Sequence, residues 1–462
     1  MNTADRIRVR EWASQTCVIL LVCLAVTAPA IIVSSAIPFF KAEQLLVPVI
    51  IAIYLFMMMA GVARPIRLNA MFVIGMVFLA SNILSILYGA EFLGHPVILR
   101  DFYELPKVWM PVAFFTIAFE AELTERSLRR VLAWFAFAVL LVCVYAWGQF
   151  AGASFAYKLN PYYSPGGHID ATLEYAKRVY GTVGNANVLG ELMTWCVILF
   201  LFATVMRVGN ALRNVVMTLA CLVTLVMTGS RYGLLNVAFS YLLILLLTAS
   251  LGRKRFAQVA LLSLLLPAFA LTYGLVAQSN FRTLERYQTL QDPTRVDSLR
   301  ERLDDLWLEA WNDFKASPVL GHGPGKGFLV VEDRFIDSEY LNVLREKGLV
   351  GFSVFLAYYF YPLYLIWKGR RVIRASGGRL LEQYPGAVAL VHASLVMGIL
   401  ALIMDIGMAT FYSVFLQGTL WLWLGVGAGC AHRLGATVPA RSLRYTAPAI
   451  LQSQKGTVGL AS

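Results

Sequence analysis

Ionisable side chains inside or beside long apolar runs are the first candidates for chemistry, because burying them in lipid is costly. Asp405 lies near one end of its run, Glu191 sits in another, and Arg231 closes the short turn Thr228-Gly229-Ser230-Arg231 between two runs. A snorkelling or turn-stabilising arginine is the plainer alternative for Arg231, and a packing histidine is the plainer one for His392. A polar stretch between two apolar runs adds more candidates. It holds Arg300, Arg302, the glycine-rich Gly321-His322-Gly323-Pro324-Gly325-Lys326-Gly327, and Asp337. The glycine run is not a nucleotide-binding Walker loop: Leu320 stands where glycine is needed and Gly327 where Ser or Thr is needed. Either it is a tight turn that brings backbone N–H groups to an anion, or it is only a bend. The six cysteines show no metal-ligand spacing and read as packing residues within apolar runs.

These residues are positioned by a membrane architecture. The chain is 59% hydrophobic and 14% charged, with a mean hydropathy of +0.67, a surface no soluble protein accommodates. Backbone polar groups in a bilayer must be satisfied internally, so each run of roughly 20 apolar residues is expected to cross as a helix. Twelve runs are expected, over about 17–39, 44–63, 69–92, 105–119, 130–150, 188–206, 211–229, 231–250, 256–276, 349–367, 386–409 and 411–431. The fold class is therefore an all-α polytopic membrane protein of about twelve transmembrane helices. Spans one to nine occupy 1–276 and spans ten to twelve occupy 348–431. Ala28-Pro29-Ala30 resembles a signal cleavage site, but the apolar run continues to Phe40, so an uncleaved anchor is expected.

Basic residues fix the orientation. Arg6, Arg8 and Arg10, Arg64 and Arg67, Arg126, Arg129 and Arg130, Arg207 and Arg213, Arg253 to Arg255, and the Lys368–Arg379 cluster all fall on one side. Both termini are then cytoplasmic, with a disordered tail over 432–462. The net charge of +12 is mostly this topological signal, and nucleic-acid binding, the rival reading of a pI near 9.4, is set aside. Two longer segments face outward, over about 151–187 and 277–347. The larger holds ten Lys and Arg against thirteen Asp and Glu, and a loop this long is usually functional. A capping box at Ser298–Glu301 starts its first helix. That helix carries a stripe of Leu299, Leu303, Leu306, Trp307, Ala310, Trp311 and Phe314, expected to rest on the membrane interface or on the ends of the spans, and Pro318 ends it. A second helix over 338–347 places Asp337, Tyr340, Leu341 and Leu344 on one face, expected to point inward. The alternative is that Asp337 is merely the N-cap.

In this order the motifs resemble the superfamily of lipid-linked polysaccharide (Wzy-type) polymerases and O-antigen ligases. The likeness rests on Arg178-Val-Tyr-Gly-Thr-Val-Gly-Asn-Ala-Asn187, Thr228-Gly-Ser-Arg231, the series Arg302, Trp307, Pro318 and Gly321-His-Gly-Pro-Gly325, and Asp337-Ser-Glu-Tyr-Leu341 followed by Gly348-Leu-Val-Gly351. It covers most of 170–425. The resemblance implies work at the outer face of a bacterial inner membrane on polyprenyl-diphosphate-linked oligosaccharides as donor and acceptor, in the biosynthesis of lipopolysaccharide or exopolysaccharide. Ligases are similar in carrying a histidine where Asp337 stands here, so the departure favours a polymerase.

Two tasks follow for such a reaction. The leaving diphosphate needs guanidinium partners, for which Arg178, Arg231 and Arg302 are expected, with Arg300 as the alternate. The acceptor hydroxyl needs a base, with Asp337 first and His322 and Asp405 behind it. Tyr340, Glu339 and Tyr180 are assigned to substrate positioning. A single displacement would invert the anomeric configuration. No cofactor is called for, metal-independent catalysis is expected, and a chain-length regulator is a possible partner beside the bilayer. The rivals are a ligase moving finished glycan to lipid A–core, and a transporter or flippase. Against the transporter stand the lack of a convincing repeat between the halves and the clustering of ionisable residues near one face.

Overall fold

The computed structural model describes residues 3–31, 40–60, 69–163, 178–249, 251–263, 302–325, 336–408, 411 and 413–437. Its helices are α1 (Thr3–Thr27), α2 (Ala42–Met59), α3 (Ala70–Phe92), α4 (Leu99–Phe102), α5 (Glu104–Glu120), α6 (Glu125–Phe150) and α7 (Ser154–Tyr163). They continue with α8 (Ala186–Val205), α9 (Ala211–Met227), α10 (Arg231–Ala249) and α11 (Arg253–Ser263). After a π-turn over Arg302–Leu306 come α12 (Trp307–Ala316), α13 (Glu339–Ala375), α14 (Arg379–Gln383), α15 (Pro385–Met404) and α16 (Val414–Thr437). A two-residue antiparallel pairing, Ala30–Ile31 with Phe40–Lys41, closes the turn after α1.

A helix falls on each of the twelve expected runs, and among the described residues eight are long and apolar enough to cross a membrane. The first differs most from expectation. It spans residues 3 to 27 rather than 17 to 39, because Pro29 cannot supply the next N–H and disfavours helix in the residue before it. Its opening turns therefore include Arg6, Arg8 and Arg10. At the other end α16 runs on to Thr437, past the expected boundary at 431.

Helices α8 and α15 are almost wholly buried, α8 around Trp195 and Cys196 and α15 around Met397 and Leu400. A helix apolar on every side belongs at the centre of a bundle. Helices α5, α13, α15 and α1 pack around α16, and α9, α10 and α15 around α8. Helices α2, α3, α6 and α10 turn Phe56, Val77, Leu87, Phe137 and Leu246 outward, as lipid-facing surfaces do. Cys143, Cys196, Cys221 and Cys430 are buried and all six cysteines are free thiols, in keeping with the packing role.

Candidate active site

The start of α8, the turn before α10, the start of α13 and the end of α15 meet at one end of the bundle. Arg178 is strapped there: its Nε donates to the Thr228 carbonyl at 2.8 Å and its Nη2 to Asn187 Oδ1 at 2.7 Å. The rest of the motif fixes this strap. Gln149 Oε1 accepts from the Gly181 and Tyr180 N–H groups at 2.9 and 3.2 Å, and Val179 N donates to Met227 O. Gly184, at φ +68°, ends the turn where a Cβ would stand 2.7 Å from the Tyr163 carbonyl, and Asn185 then caps α8 through the N–H groups of Asn187 and Val188.

The Thr228–Arg231 turn is tied by its own hydroxyls. Thr228 Oγ1 accepts from Ser230 N, and Ser230 Oγ accepts from Gly233 N, both at 3.1 Å. Ser230 also packs against Gly190 of α8, where an added Cβ would stand 3.0 Å from the Ser230 Cβ. Arg231 is thereby held as the first residue of α10, half-buried. Its neighbour Tyr232 donates to the Met404 carbonyl at 2.5 Å and lies within electrostatic reach of Glu191, Asp405 and Arg302. That neighbourhood joins the Arg178–Arg231 turn to the end of α15 and to Arg302.

Arg302 Nη2 forms an ion pair with Asp337 Oδ2, and the two side chains are 27% and 35% exposed. Asp337 is not the N-cap of α13. Ser338 takes that position and accepts from Leu341 N through its Oγ, so the Asp337 carboxylate stands just outside the helix. The expected inward face is also corrected. Asp337, Tyr340, Leu341 and Leu344 are half-buried, while Glu339, Val343, Glu346 and Lys347 are fully buried. The reason is polar partnering: Glu339 N donates to Asp405 O at 2.9 Å, and Lys347 Nζ pairs with Glu346 Oε2 at 2.7 Å.

The remaining candidates have structural surroundings. Tyr340 donates its hydroxyl to the Leu402 carbonyl, pinning α13 to α15. Tyr180 and Asp405 are fully buried. His322 has both ring nitrogens engaged, Nε2 with the Asp313 carbonyl at 2.7 Å and Nδ1 with His95 Nε2 at 3.0 Å. Of the two readings of the glycine run, the bend holds for its first three residues. The N–H groups of Gly321, His322 and Gly323 bond to the carbonyls of Ser317, Arg345 and Glu346. Gly321 lies so close to the Glu346–Lys347 backbone that a Cβ would fall 2.4 Å from it. Arg300, Lys326 and the Ser298 cap lie outside the described residues, as do His168, Asp170 and Lys177.

Residues 216–356 match the family model for O-antigen ligases. The match over this segment supports the O-antigen polymerase and ligase superfamily. Members of that family are glycosyl-transferring enzymes of polysaccharide assembly, which implies lipid-linked saccharide substrates and a membrane setting. A search of curated proteins finds no match. The matched O-antigen ligase segment contains Arg231, Arg302, His322 and Asp337, whereas Arg178 and Asp405 approach from outside it.

Three groups have no counterpart among the expectations from sequence. Tyr232 ties the arginine turn to α15, and its place beside Arg231 was the available signal. His95 meets His322 from a loop 227 residues away in sequence, which no local pattern reveals. The third is a fully buried pair, Lys41 Nζ with Glu43 Oε1 at 3.5 Å, beneath Phe415.

Proposed function

We propose that this protein is an inverting polymerase of lipid-linked repeat units, working at the outer face of a bacterial inner membrane with both termini in the cytoplasm. It transfers a glycan from a polyprenyl-diphosphate donor to a sugar hydroxyl on a lipid-linked acceptor. The observation that carries this reading is the partly exposed Arg302–Asp337 pair beside the turn that holds Arg178 and Arg231. A polyprenyl diphosphate brings phosphate oxygens that guanidinium groups bind in bidentate fashion. The N-terminus of α10, which begins with Arg231, adds backbone N–H groups and the positive end of a helix dipole.

The pairing suggests an order of events. While Arg302 holds Asp337, the carboxylate is a poor base, because a bound cation stabilises its charged form. An arriving diphosphate competes for Arg302 and frees Asp337. The acceptor hydroxyl then loses its proton to Asp337 as its oxygen attacks the anomeric carbon. The carbon–oxygen bond to the diphosphate breaks from the opposite face, and the diphosphate leaves with the bonding electrons beside Arg178, Arg231 and Arg302. Glu339 and Tyr340 serve by locking α13 to α15, and His322 by holding the glycine-rich bend. Asp405 acts through its backbone, which anchors Glu339.

The family description favours a second reading, a ligase that moves glycan to lipid A–core. A deletion strain separates the two. Accumulated single lipid-linked repeat units indicate the polymerase, and accumulated full-length lipid-linked polymer indicates the ligase. Purified protein in liposomes, given defined lipid-linked donor and acceptor, tests glycosyl transfer itself. Failure to elongate without an ion gradient, combined with movement of the lipid across the bilayer, would return the transporter.

A further inference from the structure

Helix α12 presents three sectors. Ala310 is buried and Trp307 and Phe314 half-buried on the side facing α13. Leu308, Trp311 and Lys315 share the next sector at i, i+3 and i+7, with Leu308 53% and Trp311 41% exposed and Lys315 Nζ 6.0 Å from the Trp311 ring centroid. Glu309, Asn312 and Ala316 form the third, also exposed. A helix between protein and water needs an apolar face and a polar face. This one has a second apolar face, carrying a lysine whose stem can snorkel.

The depth of that face is fixed by two hydrogen bonds. Leu349 N donates to Pro318 O at 2.8 Å and Val350 N to Val319 O at 3.2 Å. Leu349 and Val350 open the apolar stretch of α13, and both are exposed, as is Val319. The outward apolar surface at the end of α12 therefore adjoins the first lipid-facing residues of a span. Gly323 ties the following bend to a second span: its N–H donates to Ser85 Oγ at 2.9 Å, about two turns before α3 ends.

We propose that α12 lies in the headgroup region of the outer leaflet, with Leu308 and Trp311 against lipid, Lys315 at the phosphates and Glu309 and Asn312 in water. The leaflet is the occupant because the face is continuous with the lipid-facing wall of α13 and has the tryptophan–lysine pairing of a membrane interface. Arg302 begins the turn that leads directly into α12. Seating α12 therefore sets the depth of the Arg302 guanidinium, at the level where the diphosphate of a lipid-linked substrate resides. The catalytic part of this inference rests on the polymerase reading, and the seating does not.

The test uses the full chain in nanodiscs of phosphatidylethanolamine and phosphatidylglycerol. Nitroxide labels are placed by Leu308→Cys, Trp311→Cys, Glu309→Cys and Asn312→Cys in a background with Cys17→Ser and Cys23→Ser, the other four cysteines being buried. Power-saturation spectra should show positions 308 and 311 more accessible to oxygen than to a water-soluble nickel chelate, with the opposite at 309 and 312. Equal or greater nickel access at 308 and 311 overturns the seat, and so does low access to both reagents, the sign of a protein covering the face. This readout needs no turnover, so it stands or falls apart from the polymerase reading. For the link to Arg302, Leu308→Glu combined with Trp311→Glu should lower polymer formation about a hundredfold, the scale of a misplaced catalytic group, while Leu308→Met combined with Trp311→Phe retains it. Unchanged polymer in the double glutamate variant overturns the link.

Discussion

Replacing Arg302 with alanine separates a catalytic arginine from a structural one, because the structure assigns very different sizes to the two roles. The Arg302–Asp337 pair is about one-third exposed on both sides, so solvent screens it, and such pairs contribute about 0–1 kcal/mol to stability. A guanidinium aimed at charge developing on a leaving diphosphate is worth roughly 3–4 kcal/mol, about 10²–10³ in rate. Arg302→Ala should therefore reduce elongation of a defined lipid-linked donor at least a hundredfold while the thermal midpoint in detergent barely moves. Arg302→Lys keeps a charge but not the bidentate fork, and should recover only part of the rate. Asp337→Asn should cost about 10²–10⁴ in rate, the range for a general base, again with little change in stability. The pair should also be non-additive: with Arg302 gone, Asp337 is already free and its removal costs the same base but no release step. Activity that falls only in proportion to folded protein would refute the assignment and make the pair a surface tether.

Arg178→Ala removes two bonds that hold the Thr228 turn. It should lower both activity and stability, the latter by roughly 1–3 kcal/mol per charged hydrogen bond lost, whereas Asn187→Ala should show a smaller version of the same loss by thermal melt and polymer assay. Gly348→Ala places a Cβ 2.3 Å from the Val319 carbonyl at a φ of +59°. The strain alone costs about 1–3 kcal/mol and the clash adds to it, so a melting curve unchanged from wild type would contradict the kink. Burial and the neighbouring His322 hold the His95 imidazole below its ordinary value near 6.5, despite an opposing pull from Asp313. A base whose folded pKa is depressed stabilises fully above its unfolded pKa, and that contribution is lost as pH falls below about 6.5. Melting midpoints between pH 7.5 and 5.5 should consequently fall further for wild type than for His95→Gln.

The sequence made the helices legible because hydrocarbon leaves the backbone no alternative, and apolar length alone then marks each element. It also marked Arg231, since a charged residue in a short turn between apolar runs stands out, whereas Arg178, Arg302 and Asp337 gained their roles through the family resemblance. What it misjudged was α13. The leucines at 341 and 344 pointed to a conventional buried face, yet the buried positions are Glu339, Glu346 and Lys347. Periodicity assumes that apolar side chains fill the interior, and here backbone carbonyls of α15 and the glycine-rich bend fill it instead. The Asp337 ambiguity had a related cause. Asp and Ser are both good N-caps, and adjacent in sequence they cannot be told apart until Ser338 is seen accepting from Leu341 and Asp337 from Arg302.

That buried polar start of α13 accounts for the Gly348 kink as well. A continuous helix from 339 would need one face to satisfy two different neighbours, polar groups before residue 348 and lipid after it. Breaking the helix at Gly348, at φ +59°, lets the first two turns adopt one rotational setting and the span another. It also opens the backbone enough for Leu349 and Val350 to take the carbonyls of Pro318 and Val319. The loop carrying Arg302 is thereby fastened to the span that follows Asp337 at a point twelve and thirteen residues after the aspartate. The two partners of the ion pair are thus held by backbone hydrogen bonds rather than by their own attraction, which at this exposure contributes too little to position anything. An ion pair preorganised in this way can open to a diphosphate without the loop coming away from the bundle, as the proposed exchange of partners at Arg302 requires.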